Sequence, residues 1–201
     1  MARDKLGSEA DLLLRSFMNR LFFSSLVVLA TMAVLPAAES SSPPFSKTFD
    51  QQVSMVEREV VSLAEAIPED KYAFVPAGPE FAKARNFGQQ ASHIAAVVYA
   101  CSASVLGVKN PTDMGASENG PAALKTKADI VKYLKDAFAY AHTAMASLTS
   151  ENLNDMIPSA FGSNKVPRVS MATAPVWHSF DHYGQMVVYA RLNGIVPPAS
   201  R

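Results

Sequence analysis

The chain has few of the residues that build several common kinds of functional site. It contains a single cysteine, Cys101, in 201 residues, so it can form neither an intramolecular disulfide nor a cysteine-based zinc site. Lysine plus arginine equal aspartate plus glutamate, at 18 each, which leaves no excess positive charge to attract duplex DNA. From this charge balance we expect no nucleic-acid partner. From the single cysteine, we expect any bound metal to be held by histidine and carboxylate.

Short motifs of several enzyme classes are also absent. No glycine-rich phosphate loop, no G-x-S-x-G turn and no H-E-x-x-H segment occurs, which gives no support to nucleotide binding, serine hydrolysis or the common metallopeptidase site. The run from His178 to His182, H-S-F-D-H, is close to the H-x-x-E-H of inverted zinc peptidases. No acidic residue follows Asp181 to supply their further ligand, so the peptidase interpretation is disfavoured.

An uncharged apolar run lies near the N-terminus, at residues 21–35. It is short for a helix that spans a bilayer, which needs about 20 residues, and the small residues Ala38 and Ser40 suit a signal peptidase. The pattern predicts a signal region at residues 1–40 and a linker at residues 41–45, which makes the mature protein periplasmic or secreted. An uncleaved leader would instead anchor the chain through its apolar run, the one membrane contact that we expect.

Four stretches of the remaining chain show the apolar period of a one-faced helix. No segment alternates with period two over more than a few residues, so we predict an all-α four-helix bundle over residues 46–201. Long loops between the helices could cover a site at one end of the bundle. The predicted helices run from Ser46 to Ile67, from Asn86 to Gly107, from Lys127 to Ser150 and from Thr173 to Leu192.

Particular residues predict where these helices begin and end. Asn86, with Gln89 three residues later, has the pattern of a capping box. Gly107 suits the left-handed conformation that closes a helix. Thr173 is predicted to cap the fourth helix, with Pro175 in its first turn.

The four histidines carry most of the functional information. His178 and His182 are four residues apart, which places them on one helix face and about 6 Å apart along the axis. Two imidazoles at that spacing can bind one ion at about 2.0–2.1 Å. His93, on the second helix, can supply a third nitrogen if the second and fourth helices are neighbours. We interpret His142 as a boundary residue with its polar end at the surface.

Residues near the histidine pair suggest supporting roles. Asp181 precedes His182 and points to another side of the helix, so it is a candidate to support a metal ligand from outside or to accept a proton. Gln185 is a further candidate catalytic residue in a supporting role. Gly184 costs about 1 kcal/mol relative to alanine in mid-helix, which predicts that another backbone or a ligand comes close. Cys101 falls on an apolar stripe and is expected to be a buried, unreactive thiol.

Two segments resemble a known family. The run N-F-G-Q-Q-A-S-H-I-A, and the later run W-H-S-F-D-H-Y-G-Q with its closing L-N-G-I-V-P-P, are similar to the DinB-like (damage-inducible) superfamily. The resemblance covers roughly residues 49–198 and implies a four-helix bundle in which His93, His178 and His182 hold Zn²⁺ or Ni²⁺. Known relatives include bacillithiol S-transferases and a mycothiol-dependent maleylpyruvate isomerase, which implies an ion that activates a small thiol.

These observations lead to hypotheses of three classes. The first is an exported metal-dependent hydrolase or thiol transferase that acts on a small molecule. The second is a non-catalytic binding or stress-associated bundle whose metal is structural or absent. The third is a dimerising interaction module that works through exposed apolar helix faces, which leaves a homodimer open. An open coordination position favours the first class, whereas a fourth protein ligand or a closed core favours the second.

Overall fold

Four α-helices form most of residues 44–201, the part of the chain that the computed structural model describes. The prediction of a mainly helical bundle is confirmed, while the predicted signal region and residues 41–43 of the linker lie outside the described residues. Short 3₁₀ turns occupy Glu69–Lys71, Pro79–Phe81, Ala116–Glu118 and Pro198–Ser200. The helices are α1 (Phe45–Ala66), α2 (Phe87–Leu106), α3 (Lys127–Ala146) and α4 (Arg168–Leu192).

One small hairpin is the sole sheet in the described part of the chain. Its strands, β1 (Met156–Pro158) and β2 (Lys165–Pro167), pair antiparallel, with Ile157 opposite Val166. The hairpin leads directly into α4. None of the helices within residues 44–201 combines the length and the hydropathy needed to cross a membrane.

The most buried helix is α2, which packs against α3 and α4, while α1 packs against the same two helices. Side chains from all four helices meet in one core, and each fully buried aliphatic side chain contributes about 1.5–3 kcal/mol. A polar side chain on α2 therefore faces the interior and needs a partner there. Fully buried members of the core include Val56, Leu63, Ile94, Leu134 and Met186.

The predicted ends of α2 are confirmed. The Asn86 side chain accepts a hydrogen bond from the Gln89 backbone N–H at 2.8 Å, and Gln89 Oε1 accepts one from the Asn86 N–H at 3.0 Å. Gly107 closes the helix in the left-handed conformation, with φ +69°. These caps fix the register of the first turns of α2, where the candidate site begins.

The prediction for the start of α4 was wrong. The helix begins at Arg168, and Pro175 lies buried in its interior instead of its first turn. No side chain caps the helix; instead, the Arg168 N–H donates to the backbone carbonyl of Asp155, the residue before β1, at 2.9 Å. Thr173 donates its hydroxyl to backbone within the helix instead. A local capping pattern could not reveal a partner that only the folded hairpin supplies.

The end of α3 also differs from the prediction, since the helix stops at Ala146 and not at Ser150. The chain tightens after it: the N–H of Leu148 donates to the carbonyl of Met145, three residues back. Leu148 is nevertheless buried, so the apolar period continues into a turn that still packs on the core.

Candidate metal centre

Neighbouring faces of α2 and α4 bring three histidines together. The ring centroids of His93 and His178 are 5.0 Å apart, and that of His182 lies 4.6 Å from each of them. One nitrogen from each ring lies within 4.8 Å of the others. The predicted face for the α4 pair and the predicted approach of His93 are therefore both confirmed as geometry.

The spacing of the nitrogens suits a single ion. His93 Nε2 and His178 Nε2 are 3.1 Å apart. Two nitrogens that each lie about 2.0–2.1 Å from one ion, at angles of roughly 90–110°, are about 2.9–3.4 Å apart. No other histidine, cysteine, aspartate or glutamate of residues 44–201 joins the group, so three ligands leave at least one coordination position open.

Hydrogen bonds to the other ring nitrogens orient two of these imidazoles. His93 Nδ1 lies 2.8 Å from the carbonyl oxygen of Glu118, and His182 Nδ1 lies 2.5 Å from Oε1 of Gln90. An oxygen of this kind can only accept, so each Nδ1 carries the proton. Each Nε2 then keeps its lone pair for an ion, which is the arrangement usual for metal-binding histidines.

The partner of His182 is a glutamine that sequence reasoning missed. Gln90 is 2% exposed, and its amide nitrogen donates to Gln185 Oε1 at 3.0 Å. Gln185, predicted as a catalytic candidate, is thus one step removed from the triad and contacts Gln90. The available signal was an amide three residues before His93, on the same face of α2.

The second catalytic candidate, Asp181, is exposed and forms no ion pair with another described residue. It does not touch the triad through any hydrogen bond within residues 44–201. Its negative charge acts on His178 from a distance and raises the pKa of that ring, against the larger opposite effect of burial. The geometry thus gives Asp181 an electrostatic influence only.

Burial keeps the triad neutral. Desolvation, together with the charges of neighbouring rings, lowers the pKa of His178 to about 4 and that of His182 to about 3. Desolvation also lowers the pKa of His93. The positive charge of Arg85 contributes to all three decreases. Since an imidazole must be neutral to bind an ion, the site is ready for metal at neutral pH.

The loop that carries the Glu118 carbonyl has an unusual backbone. Ser117 and Glu118 have φ of 55° and 58°, a conformation that costs non-glycine residues about 1–3 kcal/mol each. A Cβ on Gly115 would lie 1.8 Å from the carbonyl oxygen of Gly120, so the loop closes on itself at a point that only glycine allows. This strain is concentrated at the residue that orients His93.

Arg85 fastens the same loop. Its Nε donates to Asn119 Oδ1 at 2.8 Å and its Nη2 donates to the Ser117 carbonyl at 2.8 Å. The two contacts lie on either side of Glu118. Nothing in the sequence marked this arginine, because it stands in a loop before α2 and belongs to no motif.

Two exposed aromatic side chains border His178. The ring of Trp177 lies 5.6 Å from it and that of Phe161, on the β1–β2 loop, lies 6.4 Å from it. They are 55% and 46% exposed, so the half-buried His178 has an apolar rim open to solvent. Trp177 is the one tryptophan of the chain, and its fluorescence can therefore report directly on this site.

His142 lies outside the triad, between α3 and α1. Its Nδ1 is 2.5 Å from Asp50 Oδ1 and its Nε2 is 3.0 Å from Glu57 Oε2. It is half-buried, as expected of a boundary residue, but its polar atoms face carboxylates and not only water. Cys101 is completely buried, and desolvation raises its pKa to about 12, which fits the expected unreactive thiol.

The expectation that another backbone approaches Gly184 was wrong. It is exposed, and no atom of the described residues beyond its chain neighbours and its own helix backbone lies within 4 Å of where its Cβ would be. No backbone approaches it, so a mid-helix glycine did not mark a close contact in this case.

Comparison with known proteins agrees with this fold. A crystal structure of a DinB-like protein from Bacillus cereus ATCC 10987 covers 76% of this chain and 95% of its own, with TM-score 0.61 and 17% identity. A DinB-like protein from Bacillus subtilis covers 73% and 92%, with TM-score 0.56 and 20% identity. No functionally curated protein matches the chain. The family model of the DinB superfamily matches residues 52–186, and the chain therefore belongs to that superfamily.

Proposed function

We propose that the protein is a metal-dependent enzyme, a hydrolase or a thiol transferase, whose triad holds Zn²⁺ or Ni²⁺. The observation that carries the proposal is the convergence of three histidine nitrogens from two helices within 4.8 Å of one another. Two of the rings already have the protonation pattern that metal binding requires. Histidine nitrogen is a preferred donor for both ions.

An open position favours catalysis over a structural role. Structural zinc sites are closed by four protein ligands, whereas catalytic sites keep one position for water or substrate. Here three candidate ligands are present among residues 44–201. A divalent ion bound there would supply Lewis-acid activation of a water molecule or a small thiol.

The chain's own residues would prepare this chemistry in three ways. Gln90 and the Glu118 carbonyl hold His182 and His93 in place. Burial keeps the three imidazole rings uncharged. The aromatic rim of Phe161 and Trp177 offers apolar contact to an incoming small molecule.

We further propose that the enzyme works outside the cytoplasm. The support for export is the apolar run at residues 21–35 with its small flanking residues. Detection of a mature form that begins near Ser40 in the extracytoplasmic fraction of cells would test this location.

Metal content tests the proposal. The full-length chain, its His93→Ala and His182→Ala variants and a His142→Ala control would be purified under metal-replete conditions and measured by elemental analysis. We expect near-stoichiometric metal in the wild type and the control, and loss of it in both triad variants. Wild-type protein without metal, or triad variants that retain it, would overturn the proposal.

A further inference from the structure

Arg85 carries a charge that no acidic group neutralises through an ion pair. It is half-buried, and none of the ion pairs within residues 44–201 includes it. Its two hydrogen-bond partners, the Asn119 amide oxygen and the Ser117 carbonyl, are neutral. Arginine is almost never fully buried unless it is paired with an anion, and the half-buried Arg85 has only neutral partners.

One loop links the guanidinium to the triad. Its partners Ser117 and Asn119 flank Glu118, and the Glu118 carbonyl contacts His93 Nδ1 at 2.8 Å. The Arg85 charge also lowers the pKa of all three triad histidines, after the larger effect of burial. The same loop therefore contacts both His93, a candidate metal ligand, and the positively charged guanidinium of Arg85.

A bound divalent ion makes the imbalance larger. The three neutral imidazoles contribute no negative charge, so the ion and the guanidinium would repel each other across a partly desolvated region. The acidic groups whose charges reach the triad, Glu118 and Asp181, both belong to exposed residues, where water screens them. An anionic ligand next to the ion would offset this repulsion.

We propose that Arg85 recognises an anionic group of the substrate, and that the substrate carries a carboxylate or a similar anion close to the atom that meets the metal. This inference rests on the metal-dependent function proposed above. The loop fixes the guanidinium in advance through Nε and Nη2, while Nη1 makes no hydrogen bond within residues 44–201. That nitrogen is available to donate to the ligand, and charge-assisted bonds of this kind are the stronger ones.

Three thiols that differ only in their terminal group test the inference. The full-length chain is loaded with Co²⁺, and 3-mercaptopropionate, 2-mercaptoethanol and cysteamine are titrated in turn, with thiolate-to-cobalt charge-transfer absorption as the readout. We expect the wild type to bind the anionic thiol about tenfold more tightly than the neutral one, and the cationic thiol least tightly.

Variants separate the role of Arg85 from direct binding of the carboxylate to cobalt. Thiol acidity and chelation of cobalt by the carboxylate are the same in every variant, so a change in preference reports on Arg85 alone. Arg85→Gln removes the positive charge and should therefore lose most of the preference for 3-mercaptopropionate. Arg85→Lys keeps the charge and should retain part of it. Asn119→Ala removes one anchor of the guanidinium but not its charge, so it should preserve the order of the three thiols.

The outcomes distinguish this inference from the proposed function. If cobalt does not bind, the metal function fails and the inference falls with it. If cobalt binds but no thiol gives the absorption band, the metal site stands and the inference is overturned. If all thiols bind but the wild type shows no preference for the anion, or Arg85→Gln keeps the full preference, only the inference is overturned. If the glutamine variant does not fold, a wild type that shows no preference for the anionic thiol still overturns the inference.

Discussion

Single residues decide which nitrogen faces the shared centre in two of the three triad imidazoles. Gln90 performs this task for His182 by a 2.5 Å contact to Nδ1, and the Glu118 carbonyl performs it for His93. His178 has no such bond to Nδ1 within residues 44–201, and its Nε2 lies 3.1 Å from that of His93. The two oriented rings thus form the fixed part of the site.

Removal of the Gln90 amide should weaken metal binding without destroying the triad. We expect Gln90→Leu to lower the affinity for Zn²⁺ by about 10–100-fold, as loss of such an outer partner generally does. Competition with a chromophoric chelator would measure the affinity. Gln185→Ala is the matched control, since Gln185 contacts Gln90 and not the triad, and its effect should be smaller. Equal affinities for Gln90→Leu and wild type would contradict this role.

At the level of elements, the histidines come from helices, while their orientation comes from a glutamine on α2 for His182 and from a loop carbonyl for His93. The helix period and the four-residue spacing of His178 and His182 are local, so the sequence reveals them. Gln90, Arg85 and the Glu118 carbonyl act on residues far away in the chain, so local patterns do not reveal which residues they contact. Thr173 illustrates the same limit. The sequence predicted that it caps α4, but the helix begins at Arg168, whose N–H donates to the distant carbonyl of Asp155.

The strained loop provides an element-scale prediction. Gly115→Ala places a Cβ 1.8 Å from the Gly120 carbonyl in the folded loop, so the loop must open and the Glu118 carbonyl must move from His93. We expect weaker Zn²⁺ binding and lower stability. Gly184→Ala is the control: it meets no neighbour and should raise stability by about 0.5–1 kcal/mol with unchanged affinity. Denaturant unfolding and chelator competition would measure both effects, and unaltered metal binding in Gly115→Ala would rule out this link.

The α1–α3 contact predicts a pH dependence. Burial lowers the pKa of His142, but hydrogen bonds to Glu57 and Asp50 and their charges outweigh this effect and raise it above its usual value. A raised pKa in the folded state means that this stabilisation is complete below the unfolded pKa, about 6.5, and is lost as pH rises through the folded value. Both ion pairs of His142, with Asp50 and with Glu57, are partly exposed, so the stabilisation should be on the order of 1 kcal/mol.

A comparison of wild type with His142→Gln would test this dependence. The free energy of unfolding of the metal-free proteins would be followed from pH 5 to pH 10, a range spanning the change of charge. We expect the advantage of the wild type to be largest at the acidic end and to shrink with rising pH. An advantage that is constant, or that grows toward alkaline pH, would exclude a charged His142 between the helices.

At the scale of the whole molecule, the proposed metal binding should be coupled to folding, because only the folded bundle brings α2 and α4 together at the triad. A ligand that binds only the folded state stabilises it by about 2.7 kcal/mol at one hundred times its dissociation constant. For a domain of this size that corresponds to roughly 5–10 °C in Tm.

Thermal unfolding with and without Zn²⁺ checks the coupling. The wild type and His142→Ala should both show the increase in Tm, because His142 is not in the triad. His178→Ala should show little or none. An equal increase in His178→Ala would mean that zinc stabilises the fold from some other place.

X-ray absorption at the metal edge of the zinc- or nickel-loaded protein tests the central claim most directly. The account predicts about three imidazole nitrogens, at about 2.0–2.1 Å for zinc, together with an oxygen donor that is not from the protein. It predicts no sulfur in the absence of added thiol, since the one cysteine is completely buried. Fewer than two imidazoles, or a sulfur ligand from the chain, would contradict the three-histidine centre.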